Sequence, residues 1–141
     1  MQKNFEVVDG IYLVQAPFEL DLHNNFNFTG LTYSILDRKL ILNWQRSNGE
    51  WVADNTPLAV RVEFFDVSEF RFLPRDSEYP FTEDNCINSI GYWTDEEWTK
   101  NSVICTSVGQ NPELDWLMAI DFMSGAKIIV QALSVKAIVQ T

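Results

Sequence analysis

A chain of 141 residues with 46% hydrophobic and 21% charged residues reads as a single β-rich domain over 1–141, long enough to bury a core without metal or disulfide staples. Its net charge of −10, from ten basic and twenty acidic residues, disfavours nucleic acid as a partner, since phosphate binding draws on clustered Lys and Arg. No apolar run of about 18 residues occurs, and the opening MQKNFEVVDGIYLVQA breaks its apolar stretch with Asp9 and Gln15, so the sequence predicts neither membrane span nor signal peptide and a cytoplasmic location.

In chain order, the first element signal is Asp9-Gly10 between FEVV and IYLV. Such a pair predicts a hairpin, because both central positions of its turn take positive φ. His23 follows in the polar lead-in to a strand, and as the sole histidine it carries no flanking catalytic motif. Leu31-Tyr33-Ile35 and Leu40-Leu42-Trp44 alternate with polar residues around Asp37-Arg38-Lys39, predicting a second hairpin. Leu58, Val60, Val62 and Phe64 share one face, with Ala59, Arg61 and Glu63 on the other. Phe70 and Phe72 resume that pattern after a kink at Asp66-Val67-Ser68.

Residues 74–85 hold two prolines and no period, which predicts a long loop. Thr94 with Glu97 three residues on has capping-box spacing and predicts a short helix over 94–100, anchored by Trp98. Residues 112–123 fit two readings. Asn111, Pro112 and Gly125 could bound a helix, whereas a strand would put Leu114, Trp116, Met118, Ile120 and Phe122 on one side; the strand is favoured. KIIVQALSVKAIV is β-branched and extended. The expected fold is mainly β: an antiparallel β-sandwich or partly closed barrel of about eight or nine short strands with one short helix.

Chemistry is harder to find. No phosphate-binding glycine loop, GxGxxG or GxSxG occurs, so no catalytic residue and no cofactor is assigned. Cys86 and Cys105, the only cysteines, read as reduced packed thiols, and no metal site is expected from two thiols with a distant histidine. Charge is concentrated late in the chain: residues 76–141 carry ten acids against three bases. Asp76, Glu78, Glu83, Asp84, Asp95, Glu96 and Glu97 follow one another with no Lys or Arg between them, and Tyr79, Phe81, Tyr92 and Trp93 lie among them. Carboxylates steer a basic partner, and aromatics within a polar rim make interface anchors, so these eleven residues form the candidate protein-binding surface. Calcium is the poorer occupant, because Pro80 and Phe81 stand where an EF-hand loop counted from Asp76 needs a ligand and a glycine. The alternative is a small-ligand or carbohydrate-binding barrel, with Trp51 and Trp93 exposed for stacking and Trp44 and Trp116 in the core.

The succession LHNNFNFTGLTYSILDRKLILNW, LAVRVEFFDVSEFRF and DFMSGAKIIVQA resembles small uncharacterised bacterial β-rich domains. Some of these are immunity-protein-like, and immunity proteins neutralise a partner toxin. The resemblance implies a binding role and does not identify the partner or the oligomeric state.

Overall fold

Alternation of apolar and polar residues builds most of this molecule, and the curl of one sheet decides where its open side lies. The computed structural model describes residues 1–96 and 102–141. Among these, ten strands occur: β1 (Gln2–Lys3), β2 (Glu6–Val8), β3 (Tyr12–Gln15), β4 (Phe18–Asp21), β5 (Phe26–Ser34), β6 (Lys39–Arg46), β7 (Ala59–Leu73), β8 (Ile87–Trp93), β9 (Leu117–Phe122) and β10 (Lys127–Gln140). A single 3-10 turn covers Phe81–Asn85. The fold is therefore mostly β, a curled half-barrel sheet with a second small sheet beside it.

The large sheet runs β5-β6-β7-β10-β9-β8 with antiparallel neighbours, and β1 joins β10 in parallel. Its spine is β10. One edge pairs with β7 from Lys127↔Leu73 to Gln140↔Ala59; the other pairs first with β9 and then, at Ser134 and Val135, with β1. Register shifts at Phe28/Gly30, Gln131/Ala132 and Ile87/Ser89 each bend the sheet locally. Such bulges increase twist, and three of them curl this sheet into a half-barrel. The kink read at Asp66-Val67-Ser68 is one of these places: Asp66 has φ 55°, yet β7 continues through it as one strand.

The concave face holds the core. Leu40, Leu42 and Trp44 on β6 and Val60, Val62 and Phe64 on β7 are all buried, as their alternation predicts. Phe28 on the outer strand β5 puts its ring 5.2 Å from Trp44 and 4.9 Å from Phe122 of β9, so aromatic contact spans the open side where hydrogen bonding stops. The small sheet β2-β3-β4 packs Val7, Leu13 and Leu20 into the same core. Its turn at Asp9 (φ 52°) and Gly10 (φ 78°) has the two positive φ angles expected, and it is also a joint. The Ile90 amide donates to the Gly10 carbonyl at 2.6 Å, and the Asp9 amide donates to Thr106 at 2.8 Å. A Cβ on Gly10 would stand 2.7 Å from Cys105 Sγ, so glycine is needed for space as well as for φ.

Several expectations change at element ends. Ile35 (84% exposed) lies in the hairpin connection beyond β5, and Leu58 lies outside β7, partly in solvent. Residues 112–123 resolve into β9 preceded by a turn, so Leu114 is exposed and does not join Met118, Ile120 and Phe122 inside. The loop expected at 74–85 contains the 3-10 turn. Of the helix expected over 94–100, Thr94–Glu96 are not helical, while Glu97 and Trp98 lie outside the described residues. No helix of the described residues is long and apolar enough to cross a membrane.

Candidate docking face

Where β7 ends, the chain must leave the sheet, cross its open end and return as β8. Pro74 ends the ladder because it has no amide hydrogen to donate. Arg75 then holds the crossing together. Its Nε donates to both carboxylate oxygens of Asp84, at 3.0 and 3.2 Å, and Nη2 donates to the carbonyls of Tyr79 (2.7 Å) and Pro80 (2.9 Å). Its guanidinium also lies 4.8 Å from the ring centre of Phe81. The Asp76 amide ties the loop to the Ser124 carbonyl at 2.8 Å, and the Asp76 carboxylate accepts the Glu78 amide at 2.9 Å.

Asp84 accepts a hydrogen bond from Ser124 as well as from Arg75, and these donors hold its carboxyl below the ordinary value of 3.8. It stays ionised at neutral pH. Arg75, the only base between Arg71 and Lys100, thus has its charge paired and its Nε and Nη2 donors engaged within the loop. The outward result is carboxylate and ring: Asp76 and Glu78 are exposed, and Phe81 is 82% and Tyr79 47% exposed. Beside the Arg75–Asp84 pair lies an apolar cavity of about 190 Å³ lined by Phe28, Phe72, Phe122, Ala126, Arg75 and Asp84.

The eleven residues singled out in the sequence are not one surface. Asp76, Glu78, Tyr79, Phe81, Glu83 and Asp84 cluster on this crossing, the last two half-buried. Tyr92 (4% exposed) and Trp93 (6%) are core residues of β8 and present no ring to a partner. Tyr92 lies beneath the Lys3 ammonium at 5.1 Å, and Trp93 beneath the Arg71 guanidinium at 4.8 Å. Burial and the nearby Glu6 push the Tyr92 phenol up to about 12. Asp95 and Glu96 are exposed but follow the far end of β8, roughly 20 Å along a seven-residue strand from the loop. Glu97 lies outside the described residues.

Sequence reasoning missed Phe72, Arg75, Phe28, Phe122 and Ala126. The available signal was FRFLPR, where alternation continues to Phe72 and a proline then turns the chain out. It also missed that His23 and Cys86 are neighbours, with Nδ1 3.8 Å from Sγ. They do not form a nucleophile–base pair. His23 Nδ1 lies 2.5 Å from the Ile87 carbonyl and must carry its proton to bond there, which leaves no lone pair for the thiol. Burial, with Glu83 nearby, pushes the Cys86 thiol up, and burial with Asp9 does the same for Cys105; both are free thiols. No group of three or more His, Cys, Asp or Glu side chains among the described residues is placed to hold a metal.

A larger concavity, about 690 Å³, lies elsewhere, across β5, β6, β7 and β10. Thr29, Thr32, Asn43, Gln45, Arg61 and Gln140 line it, and no exposed ring does. Trp51, 70% exposed, bonds the Asn24 carbonyl through Nε1 and is not part of it. With Trp93 buried, the stacking platform that a sugar requires is not assembled there. Size alone does not make this groove the site; the crossing loop combines rings, charge and an apolar cavity. The chain matches no protein-family model, no curated protein and no solved structure.

Proposed function

We propose that the chain is a non-enzymatic binding domain that docks a basic protein through the loop at 74–85, acting in the cytoplasm as an immunity protein acts on its partner toxin. One observation carries the reading. Large rings stand out in solvent on an acidic loop whose single cation is turned inward on Asp84 and two carbonyls. Exposed Phe81 and Tyr79 supply anchors, and Asp76 and Glu78 supply a charged rim that speeds encounter and rejects acidic partners. The resemblance to immunity-protein-like domains points the same way.

The test is capture by immobilised protein at low and at high salt, with Phe81→Ala and Glu78→Lys in parallel. Both side chains are exposed, so neither variant should lose the fold. The reading expects a basic protein released by salt, its affinity lowered about tenfold or more by Phe81→Ala and its salt dependence reduced by Glu78→Lys. Capture indifferent to both substitutions would remove it.

A further inference from the structure

We infer that the cavity beside the Arg75–Asp84 pair is an anchor slot: it takes one phenylalanine- or leucine-sized side chain from a partner segment whose flanking basic residues meet the carboxylates of the loop. This rests on the docking reading and adds the chemistry by which a partner is recognised.

The slot is built from parts far apart in the chain. Phe28 comes from β5, Phe72 from the end of β7, Phe122 from β9 and Ala126 from the turn into β10. Three rings and a methyl group make it apolar. Its volume of about 190 Å³ is ample for a benzyl or isobutyl group, since an apolar cavity of about 150 Å³ holds a benzene molecule. The floor is fixed, because the Phe28 ring packs on both Trp44 and Phe122. The entrance is open, because Phe72 is 53% exposed while Ala126 behind it is buried.

Charge decides the occupant. The rim is Arg75 paired with Asp84, and Asp76 lies beside it at the turn, its Cβ 3.6 Å from the position a Cβ on Gly125 would take. Arg75 has Nε and Nη2 engaged by Asp84, Tyr79 and Pro80 and its charge paired with Asp84, so the pair presents little net positive charge to an incoming carboxylate. Asp76 and Glu78 face solvent. A segment with an acid beside its anchor would therefore meet like charge, and one with Lys or Arg there would meet opposite charge.

The test titrates isotope-labelled protein at low salt with three capped tripeptides: acetyl-Lys-Phe-Lys-amide, acetyl-Lys-Ala-Lys-amide and acetyl-Glu-Phe-Glu-amide. The slot requires the first to shift the Ala126 methyl and the Phe72 ring resonances, with at least tenfold higher affinity than the other two. Ala126→Leu, which fills the cavity from its wall, should erase that preference and leave the weak binding of the alanine peptide intact. Phe72→Ser, at an exposed wall, serves the same purpose if the leucine variant does not fold. Equal binding of the two lysine peptides, with shifts confined to Asp76 and Glu78, would overturn the slot while leaving the docking reading standing. Equal shifts at Ala126 from the lysine and glutamate phenylalanine peptides would overturn the basic-partner clause. Absence of any binding at this face would remove both.

Discussion

Arg75 shows how a single side chain can shape a surface without facing outward. Its planar fork satisfies a carboxylate and two carbonyls together, which a lysine ammonium on the same backbone cannot do in one geometry. Asp84, its partner, gives this arrangement a pH signature. The hydrogen bond from Ser124 and the pairing with Arg75 depress the folded-state pKa below 3.8. Stability from this group is therefore fully present above the unfolded value and is lost as pH falls through the lower folded value. Comparison of the wild-type chain with Asp84→Asn by urea unfolding should give a constant stability difference from pH 7 to about 5 that shrinks below about pH 4. A difference that persists unchanged to pH 2 would mean the carboxylate charge is not what holds the loop. Elsewhere, the buried Glu63 (6% exposed) pairs with Lys39 at 2.8 Å.

Among the elements, the Asp9-Gly10 turn joins local and tertiary requirements. Gly10→Ala must accept a positive φ and bring Cβ within 2.7 Å of Cys105 Sγ, whereas Gly109→Ala faces a similar φ of 75° with nothing within 4 Å. Denaturant unfolding should therefore show Gly10→Ala losing about 1–3 kcal/mol and Gly109→Ala about 1, the excess reporting the contact with Cys105. Equal losses would reduce the joint to an ordinary turn. This turn was legible from its two residues alone, as were β6 and the first half of β7, because period-two alternation and Asp-Gly chemistry are local signals. What lay hidden was non-local. Residues 90–93 of β8 are buried one after another, since Ile90 and Tyr92 pack into the main core on one face and Val103 packs against Trp93, Leu117, Ala119 and Ile129 on the other. Burial on both faces erases alternation, so Tyr92 and Trp93 read as aromatics on an acidic surface. Half of the candidate site was legible as charge and rings at 76–84; its apolar cavity was not, because Phe28, Phe72, Phe122 and Ala126 meet only after the sheet has curled.

On the scale of the whole molecule, β10 carries the architecture. It is hydrogen-bonded along both edges over much of its length, and Ile128, Ile129, Val130, Val135 and Ala137 are buried. The side chain of Asn4 continues the pairing beside β1, donating to the Ala137 carbonyl at 3.2 Å and accepting its amide at 2.8 Å. Hydrogen exchange should find the amides of Val130 and Ala137 among the slowest, opening only with global unfolding, while residues 107–114 exchange early. Protection at β10 no higher than at the hairpin β5-β6 would show that the sheet comes apart around its spine.

The position of that spine in the chain also sets an order of events during synthesis. Strands β7 and β9 do not pair with each other; each meets the other only through β10. When the first 126 residues have left a ribosome, they hold one set of strands ending at β7 and another ending at β9, with no strand pairing to join the two in one sheet. Two apolar faces then wait for the same fourteen residues. Until those residues emerge, apolar strand faces stay open to wrong contacts, and Phe72 of β7 and Phe122 of β9 are not yet held at the cavity they share.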